Sequence, residues 1–166
     1  MRSPRRRPAR GPAVDVVIAS TRWRRAPQAG GIVRRAITAA APATARSAEL
    51  SVTLTSDRAI RTLNRRWRGK DKPTNVLSFP APAQRRGAPR HLGDVVIAYE
   101  TVASEAAAEN KAFGHHLAHL AVHGFLHLLG YDHESDAEAE AMEQLERRIL
   151  ARLDVPDPYE PRDTKA

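Results

Sequence analysis

Cysteine is absent from this 166-residue chain. That excludes a disulfide framework, a thiolate nucleophile and any metal site built on sulfur, so a bound metal must draw on histidine, carboxylate and water. No stretch approaches the ~18 consecutive apolar residues of a membrane span. A cysteine-free chain without such a span suits a reducing cytosol, and a cytoplasmic protein with no membrane partner is the expectation. Acid is in short supply: 19 Asp and Glu face 27 Lys and Arg, a formal charge of +8. The imbalance favours RNA or DNA as partner over an acidic small molecule, although a high-arginine coding bias would give the same count. The first dozen residues, MRSPRRRPARGP, hold no acid and no apolar core of a secretory signal. Residues 1–12 therefore read as a disordered basic arm.

What remains reads as one domain over residues 13–153, long enough for a real core, followed by a polar, proline-rich flexible tail at 154–166. Residues 14–19 (VDVVIA) read as a buried strand and 49–55 (ELSVTLT) as a half-buried one. Strands are also expected at 75–79 and 93–99, with a mobile Pro/Gly/Arg-rich loop at 80–91 between them. Helices are expected at 30–41, at 58–67 behind a Ser56/Asp57 cap, at 100–111, at 113–129 and at 136–153. The last opens on the capping box Ser135-x-x-Glu138 and packs through Met142, Leu145, Ile149 and Leu153. The fold class is α+β: a sheet of about four strands flanked by helices.

The densest chemistry is HGFLHLLGYDH. His123 and His127 stand four apart, so on a helix they project from one face, a turn apart. Gly130 offers the left-handed cap that ends a helix and turns the chain back. His133 can then swing round to meet the first two. Three imidazoles without a fourth protein ligand describe a zinc site, one Zn2+ per chain, with an open position for chemistry. A single histidine on an apolar helix is more often a satisfied core residue. Here His116, His119, His123 and His127 share one face of a helix that is apolar nearly all round, and buried imidazoles need partners. His116 and His119 lie farther from the turn and suit partners of the ligands, or the lining of a cleft.

A second constellation is NRRWRGKDKPTNVLSFP, residues 64–80. Arg65, Arg66, Arg68, Lys70 and Lys72 crowd eight positions with one acid, Asp71, and Trp67 lies among them. Cations interleaved with an aromatic ring suit a surface that tracks a nucleic-acid backbone and stacks bases. The plainer alternative is a solvated helix end whose cations favour the C-terminal dipole.

Together, Trp67-Arg68-Gly69-Lys70-Asp71-Lys72-Pro73-Thr74-Asn75-Val76-Leu77-Ser78-Phe79-Pro80, Leu92-Gly93-Asp94 and the spacing of His123, His127 and His133 resemble the YbeY family of metal-dependent endoribonucleases, across roughly residues 45–153. The resemblance implies a single zincin-like α+β domain, a zinc ion, and single-strand-specific cleavage of RNA in maturing the 3′ end of 16S ribosomal RNA and in ribosome quality control. It implies ribosomal RNA and the small ribosomal subunit as partners, with ribosomal proteins and an assembly GTPase beside them. It marks Arg68 as the catalytic arginine next to the metal. Trp67 stands where many relatives carry tyrosine, so a hydroxyl there is not essential to this chain.

Arg68, permanently charged and fork-shaped, would hold a phosphate oxygen and stabilise transition-state charge. Arg66, Lys70 and Lys72 would bind RNA through neighbouring phosphates. A zincin protease needs glutamate directly after the first histidine; here Gly124 stands there, which disfavours peptide hydrolysis. The proton acceptor stays open among the zinc hydroxide itself, the RNA 2′-OH, His119, Asp132 and Glu134, and Asp132 could equally brace a ligand. The alternative function is a ribosome-assembly factor that binds RNA around a mainly structural zinc.

Overall fold

The computed structural model describes residues 11–82, 84, 87 and 90–161. Most of the expected basic arm (1–10), part of the 80–91 loop and the last five residues of the tail lie outside them. The architecture is α+β, as expected. Four strands, β1 (Ala13–Ile18), β2 (Glu49–Thr55), β3 (Val76–Pro80) and β4 (His91–Ala98), form one sheet in the order β1-β2-β4-β3. The first three of that order run parallel, and β3 closes the edge antiparallel to β4. Five helices surround it: α1 (Ala29–Ala40), α2 (Asp57–Arg68), α3 (Tyr99–Ala108), α4 (Phe113–Leu128) and α5 (Asp136–Arg152).

Alternation explains β2: Leu50, Val52 and Leu54 point to the core and are buried. The expectation of a buried first strand does not hold. β1 is an edge strand, with Val17 44% and Ile18 59% exposed, because its apolar run has a sheet neighbour on one side only. The largest core side chain, Trp23, comes from a 3-10 turn (Thr21–Arg25) outside every expected element; its Nε1–H donates to the Thr55 carbonyl at 2.9 Å.

α4 is the axis of the domain and touches α1, α3, α5, β3 and β4. Leu117, Leu120, Val122, Phe125 and Leu126 bury its apolar sides, and truncating Phe125 alone would cost about 3–5 kcal/mol. Gly124 decides how close the helix comes to the sheet. A Cβ there would lie 2.8 Å from Val95 Cγ1 and 3.1 Å from Val76 Cγ2. Ser78 Oγ donates to the Gly124 carbonyl at 2.8 Å. The position after the first histidine is thus filled by the sheet, and no glutamate side chain fits there.

Candidate metal centre

α4 ends in a closed left-handed cap. Gly130 adopts φ +98°, its N–H reaches the His127 carbonyl at 3.1 Å, and the Tyr131 N–H reaches the Leu126 carbonyl at 3.1 Å. These are the paired bonds of a Schellman turn. Asp132 Oδ1 accepts the His133 N–H at 2.8 Å and steadies the next bend. The result is the predicted convergence: ring centroids lie 4.6 Å (His123–His127), 5.0 Å (His127–His133) and 5.9 Å (His123–His133) apart. One nitrogen from each of the three lies within 4.8 Å of the others.

Proton placement shows what this triad can hold. His123 Nδ1 is 2.6 Å from Glu146 Oε1, and His127 Nδ1 is 2.8 Å from the Tyr131 carbonyl. Carboxylate and carbonyl oxygens only accept, so each neutral ring keeps its proton on Nδ1 and its lone pair on Nε2. The two Nε2 atoms then face each other 3.1 Å apart. Two facing lone pairs repel unless a cation lies between them. Nitrogens bound to zinc at 2.0–2.1 Å in tetrahedral geometry would sit about 3.3 Å apart. Burial, and then the neighbouring His123, hold the His127 imidazole below the ordinary histidine range, in the neutral form a ligand needs. These residues fit a metal ion.

Glu146 was not among the expected site residues. It is fully buried on α5 and accepts from His123, from His119 Nε2 at 2.8 Å and from the Tyr159 hydroxyl. Burial opposes its ionisation, but the bonds from His119 and His123 overcome that and hold its carboxyl down at about 2. Burial and then the Glu146 carboxylate push the Tyr159 hydroxyl up, so it stays a donor. A signal for Glu146 was present: it falls four residues after Met142 and three before Ile149, inside the apolar stripe of its helix. A carboxylate there has to meet donors. Tyr159 lay in the segment expected to be a free tail. Residues 157–159 are instead tied to the body, with Arg147 bonded to Asp157 at 3.2 Å and Lys111 to the Pro158 carbonyl at 3.0 Å.

His116 stands away from the triad, whereas His119 adjoins it: its ring centroid lies 6.2 Å from that of His123, and one ligand atom each of His119, His123 and Glu146 lie within 4.8 Å of one another. His116 Nε2 meets Glu105 at 3.2 Å, and Asn75 Nδ2 donates to the same carboxylate at 2.9 Å. Both histidines line a smaller cavity of about 290 Å³ behind His123.

In front of the triad lies a cavity of about 530 Å³, lined by the three histidines, Arg68, Thr74, Asn75, Ser78, Tyr131 and Asp132 among others. Of the side chains left open as proton acceptors, Asp132 lines it, whereas His119 and Glu134 do not. Arg68 reaches the cavity because α2 ends at Gly69 (φ +68°), and buried Asn64 pins the following turn by donating to the Lys72 carbonyl at 2.9 Å. Asp71 is held by Arg61 at 2.9 Å and lies 3.9 Å from Arg65. Among the described residues no carboxylate pairs with Arg66, Arg68, Lys70 or Lys72. Arg66, Lys70 and Lys72 are exposed and do not line the cavity.

Comparison with known proteins follows the same residues. A family model described as "Endoribonuclease YbeY" matches residues 20–154. The protein named Endoribonuclease YbeY from Bradyrhizobium sp. strain BTAi1 is 59% identical over 160 residues, spanning 92% of this chain and 95% of its own. Its counterpart of the same name in Rhodopseudomonas palustris strain BisA53 is 58% identical over 159 residues, spanning 92% of each chain. A match that runs almost end to end, through the histidine turn and the basic turn alike, means that this chain belongs to the YbeY family.

Proposed function

We propose that this chain is a zinc-dependent endoribonuclease that cuts single-stranded RNA, acting on ribosomal RNA at the 3′ end of the 16S species in maturation and ribosome quality control. One observation carries the reading: three imidazoles each bring a ring nitrogen within 4.8 Å of the others, on the wall of a cavity that also holds an arginine with no carboxylate partner among the described residues. The name shared by the relatives supports the reaction class.

His123, His127 and His133 would hold the metal. When bound, zinc supplies a positive charge and activates water near neutral pH. Neutral ligands leave the site cationic, which suits a phosphodiester anion. Arg68 would bind a phosphate oxygen through its fork of N–H donors and stabilise the added charge as the bond to the leaving oxygen breaks. Asp132, on the cavity wall, would take up a proton. Glu146, ionised behind His123, fixes that ring's tautomer so that Nε2 faces the cavity. Arg66, Lys70 and Lys72 would meet phosphates further along the strand. The partners on this reading are ribosomal RNA in the small subunit, with ribosomal proteins and an assembly GTPase, in the cytoplasm. No helix among the described residues is long and apolar enough to cross a membrane.

Incubating the purified chain with single-stranded and duplex ribosomal fragments, with zinc and with a chelator, tests the activity; mapping 16S ends in depleted cells tests the role. Cleavage of the single strand that stops on chelation supports the proposal. Folded, metal-loaded protein that binds RNA and never cuts it would move the assembly-factor reading ahead.

A further inference from the structure

The two tryptophans of this chain live in opposite surroundings. Trp23 is 1% exposed, its ring edge-packed against Tyr99 and Phe113 in the core. Trp67 is 63% exposed. Its ring meets Phe79 edge-on at 6.2 Å, and the Arg66 guanidinium lies 5.5 Å from its centroid. The place is specific. Trp67 immediately precedes Arg68, which lines the histidine cavity, while its partner Phe79 packs with Leu77 on the α2 side of β3, opposite the cavity-lining Ser78 and Pro80. Tyr131, the other aromatic residue among the exposed large apolar side chains, lines that cavity itself.

Packing alone does not account for this indole. An aromatic ring this open removes little apolar surface from water, and a shorter apolar side chain would cover Phe79 as well. What the ring retains is a broad exposed π-face one residue from the cavity-lining Arg68, beside Arg66 and Arg68, which no described carboxylate neutralises.

We propose that Trp67 is a stacking platform for one unpaired base of the RNA strand whose phosphate Arg68 holds. Phe79 supports the ring from its edge, and Arg66 lies within reach of both the ring and the strand. This rests on the RNA-cleavage reading and adds a cause of strand selectivity. Phosphates are offered by duplex and single strand alike, so Arg66, Lys70 and Lys72 do not separate them. A base in a duplex already has both faces covered by its neighbours, whereas an unpaired base can turn onto the indole. Every base has a π-face, so the platform selects strandedness and tolerates sequence.

Because Trp23 is sealed in the core, tryptophan fluorescence on ligand binding reports Trp67. The zinc-loaded protein is titrated with a short RNA carrying 2′-O-methyl riboses, with the same strand in a duplex, and with an abasic strand of equal charge. Quenching by the single strand alone is expected. Trp67→Ala should weaken single-strand binding by about 5- to 150-fold, the range for losing one stacked base. Trp67→Phe should recover most of that affinity. The slope of log affinity against log salt should not change, since stacking releases no counterions. Equal quenching by the abasic strand, or Trp67→Ala binding the single strand as the wild type does, overturns the platform while leaving the nuclease reading intact. Wild-type protein that binds no RNA overturns both.

Discussion

The histidine wall of the cavity and the basic turn that brings Arg68 to it differ in what satisfies their polar groups. On the histidine wall, His123 and His127 each spend their Nδ1 proton inside the protein, on Glu146 and on the Tyr131 carbonyl. The carboxylate behind them is fully buried and collects three donors. On the basic turn, Arg66, Arg68, Lys70 and Lys72 find no carboxylate among the described residues, and the one local acid is held by Arg61. The first is preorganised by the fold. The second is exposed to solvent. A change in the first should therefore appear in metal content before it appears in RNA binding, and a change in the second should leave metal untouched.

The largest effect is expected on the histidine wall. His123→Ala, His127→Ala or His133→Ala should each remove most of the metal from about one ion per chain and abolish cleavage, as read by elemental analysis and an RNA assay. Full metal occupancy after His133→Ala would place the third ligand elsewhere. His116→Ala should keep its metal, because that ring is engaged with Glu105.

Arg68→Ala should lower cleavage by about 100-fold or more, the scale for losing one preorganised donor. Zinc content and melting temperature should stay near wild type, since an exposed helix-end residue contributes little packing. Arg68→Lys should not rescue, because lysine lacks the planar fork. Loss of zinc in Arg68→Ala would erase the division between the histidine wall and the basic turn.

Glu146→Gln should weaken metal binding by roughly 10- to 100-fold in a chelator competition, the usual result of removing the partner of a ligand imidazole. The amide can turn an N–H toward His123 Nδ1, which displaces that ring's proton onto the nitrogen the metal needs. Nitrogen chemical shifts of the metal-free protein should show His123 protonated on Nδ1 in the wild type and not in the variant. Unchanged affinity and tautomer would make Glu146 a packing residue.

The smallest effect belongs to the outer cations. Lys70→Glu with Lys72→Glu should flatten the dependence of RNA affinity on salt, because fewer phosphate contacts release fewer counterions. An unchanged slope would leave these lysines merely solvated.

Much of this site follows from local rules. A four-residue spacing puts His123 and His127 on one helical face, and a left-handed glycine after the helix brings His133 back; both operate within one turn of chain. The same holds for Gly69, which ends α2 in the middle of the basic run, and for β2, whose alternation alone names its buried apolar residues. Local pattern fails where the answer depends on what lies across the fold. The apolar run of β1 reads as buried, and only its place at the sheet edge exposes Val17 and Ile18. Gly124 reads as a missing glutamate, and only the approach of Val95 and Val76 shows that the sheet occupies its space. Glu146 and Tyr159 reach the site from 23 and 36 residues beyond His123, on a helix and a segment whose own periodicity assigns them to packing and to a tail. Spacing in sequence determined the pairing of His123 with His127 because a helix converts it directly into distance. The packing of α5 and residues 157–159 against α4 decided which nitrogen of His123 carries the proton, because the buried carboxylate that holds that proton comes from another part of the chain.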